Sequence, residues 1–234
     1  MFICSFFRVR TGLGQDAPNR FVCPGIHVAQ AAAIGMMICF GSWLRGAEVP
    51  ERKPGELAIT VVEAPPIEER NPFYVSNRPP LAPSPLIKLP IGSITPMGWL
   101  RQMLLLERNG MTGRLKEISP WLRFEESAWA NKEGQGKHGW EEMPYWLKGF
   151  GDLGYVLEDQ EVIAEARKWI EAAMASQRED GWFGPRGLLT ALDGKPDLWP
   201  HMVMLNVLQS YYEYSGDRRV LDVITRYFQW QNRL

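Results

Sequence analysis

Cysteine is nearly missing from this sequence. Of its 234 residues only Cys4, Cys23 and Cys39 carry a thiol, and all three fall in the first 39 positions. Nothing after Cys39 can build a disulfide framework, ligate zinc through sulfur or act as a thiol nucleophile. Histidine is scarce as well. His27, His138 and His201 are the only three, and no HxxxH or HxH spacing joins any pair as a metal-binding motif would. Neither charge sign is in excess: 26 basic against 27 acidic side chains leave a net charge of −1, which excludes a broad basic field for nucleic acid. Long apolar runs are lacking too. The one candidate, Ile26 to Leu44, is near the lower limit for a membrane span.

What is present divides the chain into three parts. Residues 1–47 carry Arg8, Arg10 and Arg20 ahead of the apolar run, the order of a secretory leader with a long basic n-region. Cleavage after Ala47 would put Arg45 at a position where a small residue is wanted. The segment therefore reads as a signal peptide, as an uncleaved signal anchor, or as a buried core helix. The first two imply export to the periplasm or beyond, or membrane anchoring through this segment alone. Residues 48–92 hold ten prolines, from Pro50 to Pro90, and read as extended or polyproline chain. They either run over the surface of a domain or form a flexible linker, with Leu57 to Val62 as one short strand. Residues 93–234 form the folded part.

Helical periodicity dominates that part. Thr95-Pro96 has the form of an N-cap followed by Pro at the first helical position, with Trp99, Leu100, Met103, Leu104 and Leu106 as an apolar face and Asn109-Gly110 as a stop. Leu115 to Leu122 reads as a short helix. Pro144 to Leu157 repeats apolar residues at helical spacing, and Val162 to Met174 does so again after a break at Glu158-Asp159-Gln160. Gly149, Gly151 and Gly154 each cost about 1 kcal/mol against Ala in a helix. Three on one helix predict close packing against a neighbour.

This hairpin recurs. Pro144-Tyr145 is matched 56 residues on by Pro200-His201, and Tyr155 by Tyr211; Val162-Ile163 and Trp169-Ile170 are matched 58 residues on by Val220-Leu221 and Tyr227-Phe228. The two extra residues fall in the turn around Ser215-Gly216-Asp217. A period near 57 suits helical hairpins that each carry one long loop. The expectation is an all-α fold, a partial α/α toroid of six-hairpin-barrel type with about two and a half hairpins present.

Two long loops, Arg123–Gly139 and Glu179–Trp199, each precede the first helix of a hairpin. Loops of that length in a compact domain are functional or disordered, and these are too aromatic to be plain linkers. In a toroid they meet at one end. The candidate substrate-binding residues are His138, Trp140, Glu142, Tyr145, Asp180, Trp182, Asp197, Trp199 and His201. Indole faces stack on the C–H faces of sugar rings, and paired carboxylates serve glycosidic chemistry when about 5–9 Å apart. The competing structural readings are a core role for the indoles, a helix-dipole role for Glu142, and a bare Asp-Gly turn at Asp180-Gly181.

Four stretches in order, LPIGSITPMGWL (89–100), WEEMPYWLKGFGDLGYVL (140–157), ASQREDGWFGP (175–185) and DLWPHMVMLNVLQSYYEYSGD (197–217), resemble the catalytic domain of β-L-arabinofuranosidase-like proteins of glycoside hydrolase family 127. The resemblance spans roughly residues 85–234. It implies a six-hairpin α/α toroid and a retaining exo-hydrolase with a cysteine nucleophile, a glutamate acid/base, and a zinc held by cysteines and a glutamate. Nothing here matches the nucleophile, the zinc ligands or the acid/base, so no metal and no cofactor are expected in this chain. What carries over is the sugar-facing rim around Glu142, Asp180-Gly181-Trp182 and Asp197 to Trp199; His201 is only near the family's early histidine. The implied activity is cleavage of terminal sugars from polysaccharide by a longer enzyme, of which this chain is the N-terminal fragment. A non-catalytic carbohydrate-binding or scaffold module of the same fold is the alternative. The implied partners are carbohydrate and a missing C-terminal half.

Overall fold

In a computed structural model, the residues described are Phe7–Val9 and 61–234. Two short strands, β1 (Phe7–Val9) and β2 (Ile94–Pro96), pair antiparallel with Arg8 opposite Thr95. Six helices follow in three successive pairs: α1 (Gly98–Asn109) with α2 (Met111–Ile118), α3 (Glu142–Leu157) with α4 (Gln160–Ala175), and α5 (Trp199–Ser215) with α6 (Arg219–Gln231). Among the described residues the fold is helical, as the periodicity requires.

Two boundaries differ from the sequence expectation. Thr95-Pro96 is strand, and α1 starts at Gly98 after Met97, with no side-chain cap. The ladder with β1 takes those residues into extended backbone. The second helix starts at Met111 rather than Leu115. It stops at Ile118 because Ser119 precedes Pro120, and a residue before proline disfavours the α region. Pro120–Leu122 is a separate 3-10 turn. Of the expected strand, Leu57 to Thr60 lies outside the described residues, and Val61 and Val62 are exposed and not in a strand. Apart from Phe7–Val9, the expected leader, residues 1–47, lies outside them too.

The α3–α4 turn is closed by Asp159, whose carboxylate accepts from the backbone N–H of Glu161 and Val162 at 3.1 Å each and so caps α4. Arg108, at the end of α1, reaches the same aspartate at 2.8 Å. Only one of the three glycines in α3 meets the expectation of close packing. A Cβ on Gly154 would lie 2.8 Å from Val162 Cγ1, so α4 approaches there because the side chain is missing. A Cβ on Gly151 would make ordinary contacts, and one on Gly149 would meet nothing.

The core lies between the two later pairs. Leu147 and Phe150 of α3, Ala166, Trp169 and Ile170 of α4, Met204 and Leu208 of α5, and Val220 and Tyr227 of α6 are all buried there. Helices α3 and α5 run side by side and parallel. Their N-terminal ends are joined through Trp140 and Asp197, and their C-terminal ends by stacked Tyr155 and Tyr214 rings 4.5 Å apart. Arg219 of α6 reaches Glu171 of α4 at 2.6 and 3.0 Å, so the second helices are linked as well.

The proline-rich stretch from Ile67 onward lies against α5. Phe73 packs edge-on against Tyr212, with ring centroids 5.4 Å apart. Asn71 ties the stretch to itself, donating to the Lys88 carbonyl at 2.8 Å. Glu213, whose side chain is fully buried, takes hydrogen bonds from the Tyr74 hydroxyl, the Lys88 ammonium and the Ile91 N–H.

Candidate functional site

The two long loops meet at the N-terminal ends of α3 and α5. Their backbones are joined directly: Arg186 N–H donates to the Gly134 carbonyl at 2.8 Å. Trp129 of the first loop is fully buried, and a Cβ on Gly184 of the second would lie 2.5 Å from its ring. Gly184 also sits at φ +75°, so both the backbone angle and the close approach call for glycine there. The Trp129 indole N–H donates to the Trp140 carbonyl at 2.8 Å, which fixes where the first loop enters α3.

On the surface above this joint stand two exposed indoles, Trp140 and Trp199, each about half accessible. Their ring N–H groups are satisfied crosswise. Trp140 donates to Asp197 Oδ2 at 2.9 Å, and Trp199 donates to Glu141 Oε2. Asp197 Oδ1 accepts the Trp199 backbone N–H at 3.0 Å and so helps start α5. Each hairpin thus supplies one indole and the carboxylate that holds the other's indole. Orientation is fixed by the N–H bonds, and about half of each indole's surface remains exposed. Tyr145, one turn into α3, is exposed on the same helix end.

The other sequence candidates are placed differently. Trp182 and His201 are core residues, both with no accessible surface, rather than rim residues. His201 stacks parallel on Tyr227 at 5.0 Å, lies 4.2 Å from the Trp182 ring, and shares the Phe183 carbonyl through Nε2 at 2.7 Å. Burial pushes its imidazole pKa down to about 4, so it is neutral near pH 7. The reason is the loop's own turn. Asp180 Oδ1 accepts the Trp182 N–H at 3.0 Å, turning the chain inward, and Asp180 itself stays on the surface, paired with Arg178 at 3.1 Å. Glu142 has one oxygen buried without a hydrogen-bond partner. His138 is half-buried at φ +51°, in the left-handed region.

Of the adjacent carboxylates Glu141 and Glu142, sequence reasoning chose Glu142, whereas Glu141 is the one bonded to a rim indole. The repeat held the signal: Trp140 to Asp197 and Glu141 to Trp199 span 57 and 58 residues, the hairpin period itself. Sequence reasoning missed Glu213 and its clasp.

The family model for the beta-L-arabinofuranosidase, GH127 catalytic domain matches residues 106–234. The chain belongs to that family. No curated protein and no solved structure matches it. The matched stretch begins inside α1 and takes in both loops and all the rim residues, so the indole–carboxylate pairs lie within the GH127 region. This identifies the domain as a glycoside hydrolase domain of arabinofuranosidase-like type. Among the described residues, no three His, Cys, Asp or Glu side chains gather as a metal-holding group. None of the described residues is a cysteine, so they supply no thiolate ligand, and no chemical step is assigned to a metal.

Proposed function

We propose that the rim formed by Trp140, Glu141, Asp197 and Trp199 binds a saccharide, and that the chain contributes the sugar-recognising early hairpins of an α/α toroid. The observation that carries this reading is the crosswise bonding of the two indoles. An exposed indole with its N–H already used presents a face and little else, which suits the C–H face of a sugar ring. Membership of the beta-L-arabinofuranosidase family supports an arabinofuranosyl group as the sugar, which we take to be a terminal one of a polysaccharide. The parallel packing of α3 and α5, each the first helix of its pair, is the relation neighbouring inner helices take in such a ring. We extend the reading to the arrangement of the whole enzyme. Trp99, Met103 and Leu106 on α1 and Phe228 on α6 are exposed apolar residues at the two flanks of the array, as surfaces covered by further hairpins are.

Titration calorimetry of the full chain with a β-L-arabinofuranosyl disaccharide tests the reading. Binding is expected, with a loss of tenfold or more in Trp199→Ala. No hydrolysis of an aryl β-L-arabinofuranoside by this chain alone is expected, because no thiol follows Cys39. Absence of any saccharide binding overturns the rim assignment, and turnover overturns the assignment of chemistry elsewhere. Binding without turnover is equally the behaviour of a non-catalytic carbohydrate module. The missing thiols favour that second reading for this chain in isolation. Export, by cleaved leader or anchor, is part of the same proposal, since the polysaccharide is outside the cell.

A further inference from the structure

Of the seven asparagines in the chain, one, Asn109, is followed by glycine. A glycine nitrogen has no side chain beside it and can approach a neighbouring carbonyl carbon closely. The pair forms the joint between α1 and α2, and Asn109 is exposed there. The Gly110 N–H meets the Glu107 carbonyl at 3.3 Å, longer than an ordinary N–H···O bond. Asn109 Oδ1 faces the Arg108 guanidinium, with Nη1 3.3 Å away. That contact is long in the neutral amide and strengthens as negative charge develops on the oxygen. Neither α1 nor α2 contributes a buried residue, so local opening of the joint costs little beside unfolding the domain.

These contacts suit one reaction. The Gly110 nitrogen attacks Asn109 Cγ, within the same chain and so without the entropy cost of a second reactant. It gives up its proton, and negative charge develops on Oδ1, where the Arg108 guanidinium stands. The Cγ–Nδ2 bond then breaks, and the amide leaves as ammonia with that proton. Water opens the five-membered succinimide. Addition at Cγ gives aspartate. Addition at the Asn109 main-chain carbonyl gives isoaspartate, whose backbone runs through the side chain. Nothing is oxidised or reduced, and water is the sole co-reactant. A cavity of about 340 Å³, lined in part by Arg108, Asn109 and Gly113, admits it.

We infer that Asn109 is a self-modification site, converted to aspartate and isoaspartate at the α1–α2 joint. The product acts on the packing. Arg108 ties α1 to the start of α4, reaching Asp159 at 2.8 Å and Glu161 at 2.6 Å. A third carboxylate beside it competes for the same guanidinium, at a helix C-terminus where negative charge is disfavoured. Isoaspartate also lengthens a backbone that is packed tightly: a Cβ on Gly113 would lie 1.7 Å from the Arg108 carbonyl oxygen. The modification therefore loosens α1 and α2 from α4.

The test incubates the full chain in mildly alkaline buffer, folded and in denaturing urea. All seven asparagines are followed by peptide mass spectrometry, and isoaspartate by enzymatic carboxyl methylation. In the folded chain Asn109 should convert at least tenfold faster than any other asparagine, at a rate equal to or above its rate in urea. A folded rate tenfold or more below the rate in urea overturns the site, because α1 would then protect the pair. Conversion of another asparagine at the same rate as Asn109 overturns it as well. Asn109→Asp carries the aspartate product from the start. Limited proteolysis should cut it within residues 98–118 several-fold faster than freshly prepared wild type, and equal cutting overturns the loosening of α1 and α2.

Discussion

At the scale of single residues, burial separates the aromatic side chains into two sets with different work. Trp129, Trp146, Trp169 and Trp182 fill the interior; Trp140 and Trp199 stay half in water. Composition makes these six equivalent, and so does a position in a loop. What distinguishes Trp182 from Trp199 is the Asp180 turn that drives one ring inward, and that depends on backbone hydrogen bonds the sequence suggests only as an Asp-Gly turn. His201 followed Trp182 inside for the same reason: the Phe183 carbonyl is there to meet its Nε2. This burial has a pH consequence. The folded imidazole has its pKa lowered from 6.5 to about 4, so the unfolded chain takes up a proton that the folded chain refuses. Stability is full above about pH 6.5 and falls as pH drops toward 4. The shift corresponds to about 3 kcal/mol at most. In urea melts between pH 7 and 4.5, wild type should lose stability progressively. His201→Gln should start lower and fall less steeply, because its amide does not titrate. Parallel curves for the two proteins would remove His201 as the source.

At the scale of elements, the sequence is most readable where apolar residues recur at helical spacing. Helices α3 and α4 lie where Tyr145, Leu147, Phe150 and Val162, Ala166, Trp169 place them, within two residues at each end. It is least readable where a distant segment decides the backbone. Thr95-Pro96 has the local form of a helix start, yet pairing with Phe7–Val9 makes it strand. Glycine patterns are intermediate. Three glycines on α3 imply contact, but nothing local tells Gly154, pressed by Val162, from Gly149, pressed by nothing. The difference is measurable. In Gly154→Ala the new methyl must displace the Val162 side chain or separate α3 from α4, since 2.8 Å is below any ordinary carbon–carbon contact. Overpacking of this kind costs about 1–3 kcal/mol, against a helix-propensity gain of about 1 kcal/mol. Chemical denaturation should therefore show a net loss in Gly154→Ala. A gain would mean that Val162 moves aside freely.

At the scale of the whole molecule, the hairpin period already contained the meeting of the two loops, since equal hairpins packed in parallel bring equivalent connections to one end. The proline-rich segment held no such signal. Its contacts are made one side chain at a time, and the residues that bond Glu213 precede it by 122 to 139 positions. Glu213 itself stands in a tyrosine-rich helix end that reads as surface. Burial pushes its carboxyl upward. The Lys88 ammonium, the Tyr74 hydroxyl and the Ile91 N–H outweigh that and hold it below the ordinary glutamate range. All three neighbours use donors toward it, and the Tyr74 oxygen is already occupied by the Gln209 amide at 2.6 Å. Glu213→Gln therefore turns an amide N–H₂ toward a donor and leaves a hydrogen bond unmade inside the contact. Lys88 is half exposed, so water can take over its ammonium, which limits the cost to about 2 kcal/mol. Because the folded pKa is depressed, the clasp contributes its full stability above the unfolded value near 4.5 and loses it as pH falls through the lower folded value. The expected outcome is that limited proteolysis cuts residues 70–88 several-fold faster in Glu213→Gln than in wild type at pH 7, with helix content unchanged. Acidified wild type should approach the same rate. Equal cleavage rates at pH 7 would mean that contacts such as Phe73 with Tyr212 hold the segment without the carboxylate.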